Sequence, residues 1–152
     1  MQLLLHVARY RMSTPDILAS QSFFADGGMN AVKNVTRRLL KAEFIGSASL
    51  YGRLRYYHLM PKSAAILGLH ERAGKWLTED AKIRAYSCLK FCCDVNKPRK
   101  KLTAQEFRTS FASLTRPGER LNYFISTANG QSRLGYMRTD YSPPQYYPQV
   151  GS

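Results

Sequence analysis

Asn30-Ala31-Val32-Lys33-Asn34-Val35-Thr36-Arg37-Arg38-Leu39-Leu40-Lys41 is the stretch on which the reading of the fold turns. At the helical step of about 100° per residue, Asn30, Lys33, Asn34, Arg37, Arg38 and Lys41 share one arc of roughly 140°. Val32, Val35 and Leu39 fall on the opposite side, flanked by Thr36 and Ala42. One face is built to pack on a core; the other offers cations and amides. Amides read adenine edges, arginines read guanine edges and lysines neutralise phosphates. The pattern predicts a DNA recognition helix, with Lys41 more a phosphate anchor than a base reader.

The flanks give the helix its place. Upstream, Gln2 to about Arg11 reads as a first helix with Leu3, Leu4 and Val7 on its apolar stripe. Ser13-Thr14-Pro15-Asp16 then reads as a hydroxyl-capped start to a second helix ending near Ser20. Phe23 and Phe24 anchor the next loop, and Asp26-Gly27-Gly28 breaks the chain before a third helix from Met29 or Asn30 to Ala42 or Glu43. Downstream the period changes. Phe44 to Leu50 reads as a strand, Tyr51-Gly52 as a turn, and Arg53 to Leu59 as the return strand. Arg53 and Arg55, two apart, are expected to point the same way, toward a minor groove or flanking phosphates. Pro61 opens a short helix that Gly68 closes. Three helices and a hairpin are the order of a winged helix-turn-helix, although helices two and three are joined by more than the minimal tight turn.

A second unit is expected from about Trp76, with the boundary between the units near Gly68 to Gly74. Thr78 caps a helix that runs to about Cys93 and is apolar on more than one side, which marks it as a dimer element. Asn96 to Lys101 reads as a basic loop in which Lys100 and Lys101 are candidate phosphate contacts. Thr103 and Glu106 form a capping-box pattern. Asn129-Gly130 marks a hairpin between strands at Leu121–Ser126 and Arg133–Thr139. Pro143 to Pro148 reads as an extended tail.

Lys and Arg number 23 against 10 Asp and Glu, a net +13 with a pI near 10.0. The excess is spread along the chain, +7 over residues 1–75 (11 basic, 4 acidic) and +6 over 76–152 (12 basic, 6 acidic), so a folded basic surface is expected rather than a basic tail. Such a surface favours an anionic partner, nucleic acid first. Cys88, Cys92 and Cys93 have no second Cys/His cluster at zinc spacing, so no metal is expected, and the thiols read as buried apolar groups in a reducing cytoplasm. No signal peptide and no apolar run of about 20 residues is read, which predicts a cytoplasmic protein without membrane contact. His6, His58 and His70 are isolated and no phosphate loop is present, so no enzyme and no cofactor are expected; Asp140 is the lone suggestive carboxylate.

Met12-Ser13-Thr14-Pro15-Asp16-Ile17-Leu18, the run from Val35 to Ile45, and Tyr56-Tyr57-His58-Leu59-Met60-Pro61-Lys62-Ser63-Ala64 together carry a resemblance. They resemble the winged-helix domain of bacterial replication-relaxation-type proteins from plasmids and integrative conjugative elements. Met60-Pro61 stands where those proteins have Leu-Thr. The resemblance covers under half the chain. It implies DNA binding in a plasmid or mobile-element setting, in replication, transfer or transcription control. Members often carry a nuclease-like domain after the winged helix, and no such motif is read here.

The sequence therefore predicts an α+β protein: a winged helix-turn-helix over residues 1–70, a small helix-plus-hairpin unit over 75–141, and an extended tail over 142–152. The expected activity is sequence-specific binding of double-stranded DNA as a homodimer. The DNA-contacting residues would be Asn30, Lys33, Asn34, Arg37, Arg38, Lys41, Arg53, Arg55, Lys100 and Lys101. The alternative is an assembly module that uses the same fold for protein contacts.

Overall fold

The computed structural model describes residues 1–117 and 122–138. Within them the chain is mixed α+β, with six α-helices and two small antiparallel sheets. Asp140, the end of the second expected unit and the extended tail lie outside the described residues.

The first helix, α1 (Gln2–Tyr10), buries Leu3, Leu4, Val7 and Tyr10 along one stripe and ends on Arg11 in the left-handed conformation, φ 70°. The second, α2 (Pro15–Ser20), starts at Thr14 as expected, but the hydroxyl does not cap the helix backbone. Thr14 Oγ1 instead donates to Asp16 Oδ1 at 2.6 Å, holding the carboxylate in the first turn, at the positive end of the helix. A 3-10 turn at Ser22–Phe24 buries Phe24, and α3 (Gly28–Lys41) follows, one residue earlier than the periodicity predicts. It closes with Glu43 left-handed at φ 62°, Glu43 N–H donating to Leu40 O at 3.1 Å and Phe44 N–H to Leu39 O at 2.9 Å. This is a Schellman closure with a glutamate where glycine is usual.

The hairpin comprises β1 (Ile45–Tyr51) and β2 (Leu54–Leu59), with Gly46 opposite His58 and Ala48 opposite Tyr56. The turn falls at Gly52-Arg53, so Arg53 sits off the strand, and the expectation that it points with Arg55 by strand alternation does not hold. Ser13 pairs with Tyr57 through two backbone hydrogen bonds, 3.1 and 2.8 Å, which gives β2 a partner on each edge. Both faces of β2 are covered in its second half: Tyr56, His58 and Leu59 are all buried. Ile45 and Leu59 join the cluster of α1, α2 and α3, whereas Leu50 and Tyr56 join a second cluster on the opposite face.

That second cluster reaches into the other half of the chain. After α4 (Pro61–Ile66), closed by Gly68 at φ 68°, a 3-10 turn at Glu71–Gly74 leads to α5 (Glu79–Cys92). Thr78 caps α5 as expected, accepting from Ala81 N–H at 3.3 Å. Leu77, Leu89 and Cys92 pack in one cluster with Tyr10, Ile17, Leu50 and Tyr56. The Tyr56 hydroxyl accepts from Leu77 N–H at 3.1 Å. The expected boundary at residues 68–74 is therefore crossed by a shared core. One side of α5, with Cys88, Leu89 and Cys92, is buried within the chain, while Ile83 and Phe91 remain exposed.

The last elements form a three-stranded sheet, β3 (Arg99–Lys101), β4 (Tyr123–Ala128) and β5 (Gln131–Tyr136), with α6 (Ala104–Ser110) between the first two. The expected basic loop is thus corrected: Lys100 and Lys101 belong to an edge strand paired to β4. Periodicity could not find a strand of three residues that forms only through β4. The Thr103–Glu106 capping box is complete, and Asn129 and Gly130, φ 54° and 75°, make the tight hairpin turn their dipeptide predicts. Arg9 of α1 donates to both carboxylate oxygens of Glu106 and to Lys101 O, tying the two ends of the fold together.

Candidate nucleic-acid interface

Packing on one side only is what makes α3 a candidate surface. Val32 is fully buried and Thr36 nearly so, its hydroxyl donating back to Val32 O at 2.7 Å, while Val35, Leu39 and Leu40 are partly buried in the same cluster. Asn30, Lys33, Asn34, Arg37, Arg38 and Lys41 are all exposed along a helix of 14 residues, roughly 21 Å long. Within the face Arg37 Nη2 donates to Asn34 Oδ1 at 3.0 Å. This engages the Asn34 carbonyl oxygen and leaves its amide nitrogen as a donor at the surface.

The cationic face continues past the helix. Lys62, from the first turn of α4, donates to Ala42 O at 3.1 Å and lies 4.5 Å over the Phe44 ring. A cation at the carbonyl end of α3 satisfies the helix dipole and extends the positive face beyond Lys41. Nothing in the sequence pattern marks Lys62, because its place depends on how α4 folds back on α3. Glu43 is the acid next to this end of α3 and is exposed.

In the hairpin, Arg53 and Arg55 are exposed, and Arg55 Nε donates to Ser47 Oγ across the ladder at 2.9 Å. Tyr51 does not stand free at the tip. Its ring meets Tyr86 of α5 edge-on, centroids 6.3 Å apart, and Lys82 of α5 donates to Ser49 O at 3.1 Å. α5 thus braces one side of the hairpin and leaves the arginines to solvent.

Lys100 and Lys101 lie on β3, apart from α3 and the hairpin in sequence and in the contacts they make among the described residues. Lys100 is exposed and lies 3.6 Å from Glu106. Lys101 is half-buried in a cleft between α1 and α5, where burial lowers its pKa and the nearby guanidinium of Arg11 adds to the fall.

Other titratable groups are structural. His6 is buried beside Ser13, Nε2 to Oγ 3.0 Å, and burial first, then Arg9, holds its pKa down at about 4. His58 donates from Nδ1 to Leu59 O at 2.8 Å. Burial raises the thiol pKa of Cys92 to about 12 and of Cys93 to about 11, so neither is a thiolate at neutral pH. Among the described residues no group of three or more His, Cys, Asp or Glu is placed to hold a metal ion, and no helix is long and apolar enough to cross a membrane. No protein-family model, curated protein or solved structure matches this chain.

Proposed function

We propose that residues 1–70 form a winged helix-turn-helix that binds double-stranded DNA, with α3 in the major groove and the β1–β2 hairpin as the wing. The observation that carries this is the one-sided packing of α3: its apolar residues face the core, and every amide and cation of the opposite arc is exposed without an acid among them. Two neighbouring features support it. Lys62 prolongs the positive face at one end, and Arg53 and Arg55 stand exposed on a braced hairpin. In this reading Asn30, Lys33, Asn34, Arg37 and Arg38 face base edges, and Lys41, Lys62, Arg53 and Arg55 hold phosphates. Lys100 and Lys101 are no longer part of the surface. The plasmid or mobile-element setting belongs to the proposal through the resemblance of the first 70 residues. A homodimer belongs to it only because one recognition helix spans few base pairs.

Titration of duplex DNA over a range of salt tests the proposal. Affinity falls steeply with salt, with a log–log slope of about −0.9 per phosphate neutralised. Lys41→Ala lowers affinity for all sequences alike and flattens the slope by about one phosphate. Asn34→Ala leaves the slope and costs roughly 1–3 kcal/mol on preferred sites selected from a random pool. Uniform losses from both variants would refute the division of roles, and a flat salt dependence would favour an assembly module instead.

A further inference from the structure

A second concentration of positive charge lies away from α3. The cleft between the end of α1, the 3-10 turn at Glu71–Gly74, α5 and β3 has a volume of about 520 Å³. Arg11, Arg72, Arg84 and Lys101 line it, with no carboxylate among the described lining residues. Leu77, Ala85 and Cys88 form an apolar wall on the α5 side. The volume falls within the roughly 300–1,000 Å³ of small-ligand sites.

Three details separate this cleft from an ordinary basic surface. Arg84 Nε is buried and has no hydrogen-bond partner among the described residues, although a buried guanidinium N–H is normally paired. Arg11, the left-handed C-cap of α1 at φ 70°, lines the cleft and donates from Nη2 to Arg72 O over a long 3.5 Å. Lys101 is desolvated and next to like charge, and both effects disfavour its cationic form. Gathering cations in a half-closed space opposes folding unless an anion is there to meet them.

We propose that this cleft binds a small phosphorylated molecule, its phosphate held by Arg11, Arg84 and Lys101 and its less polar part set against Leu77, Ala85 and Cys88. Arg72, on the 3-10 turn, is exposed and adds a fourth cation to the lining. Bidentate guanidinium–phosphate pairing suits Arg84, whose buried, unpaired Nε–H becomes one of the donors once the side chain turns toward the ligand. The cleft draws its residues from both halves of the chain, and it is independent of the α3 surface.

Thermal unfolding of the whole chain with inorganic pyrophosphate or ADP, against equal ionic strength of sodium chloride, is the test. At about 100 times the dissociation constant, binding to the folded state raises Tm by roughly 5–10 °C in a domain of this size. Arg84→Met abolishes that rise and leaves the ligand-free Tm unchanged or higher, since the charge it removes has no partner among the described residues; Lys101→Met acts in the same direction and serves if the first variant folds poorly. ADP binding more tightly than pyrophosphate supports the role of the apolar wall. Three results would overturn the proposal: no shift beyond the chloride control with either probe; a ligand-free Tm that drops by several degrees in both variants, which means the cations are already paired within the chain; or loss of duplex-DNA affinity in Arg84→Met with no effect on small anions, which makes the cleft a contact for nucleic acid.

Discussion

His6 shows what a single buried side chain does to this fold. It lies on the buried side of α1, hydrogen-bonded to Ser13, and is neutral because a cation there would be desolvated and close to Arg9. Above pH about 6.5 the folded and unfolded chains are both uncharged at this site. Between 6.5 and about 4 the unfolded chain takes up a proton that the folded chain refuses, so stability falls as the pH falls. The contribution lost across that window is on the order of 3 kcal/mol. Glu106, held down to about 2 chiefly by its hydrogen bonds from Arg9, prolongs the loss at lower pH. Urea midpoints at several pH values between 7.5 and 4.5 should fall steadily for the wild type and much less for His6→Gln. Parallel curves would show that His6 is not the group responsible. The sequence marks His6 only as an isolated histidine. Its role depends on Ser13 and Phe23, which tertiary packing places against it.

At the scale of elements, local chemistry predicts most starts and stops: Thr78 and the Thr103–Glu106 box cap their helices, Gly68 ends α4, and Asn129-Gly130 turns the last hairpin. These signals are local because the backbone groups they satisfy lie within four residues. Elements that depend on a distant partner are missed. β3 exists because β4 pairs with it, and the Ser13–Tyr57 bridge exists because α1 docks beside β2. The Glu71–Gly74 turn is a similar case. Glycine-bounded and polar, it reads as a linker, yet Gly74 is buried and a Cβ there would stand 2.6 Å from Pro61 Cα and 2.7 Å from Pro61 N. Backbone cannot yield as a flexible side chain can. Gly74→Ala should therefore cost about 1–3 kcal/mol, measured by denaturant unfolding. A neutral result would mean that the turn is not docked on α4.

At the scale of the molecule, the two expected units behave as one body where their cores meet. Leu50 and Tyr56 of the hairpin pack with Leu77, Leu89 and Cys92 of the other half, and Arg9 closes the opposite side through Glu106 and Lys101. Calorimetry should show one cooperative transition, and a fragment of residues 1–70 should lack fixed tertiary structure, because removing α5 exposes Tyr10, Ile17, Leu50 and Tyr56 together. A fragment that melts cooperatively on its own would restore the boundary near residues 68–74. The sequence alone determined the six-residue polar arc of α3, the net charge of +13, and the order of three helices before a hairpin, since all of these follow from residue type and helical or strand period. Only the tertiary structure decided that Lys62 extends that face, that Lys101 lies apart from it, and that Arg11, Arg72, Arg84 and Lys101 converge on one cleft. Those residues lie up to 90 positions apart, from 11 to 101, and no local period encodes a meeting between them.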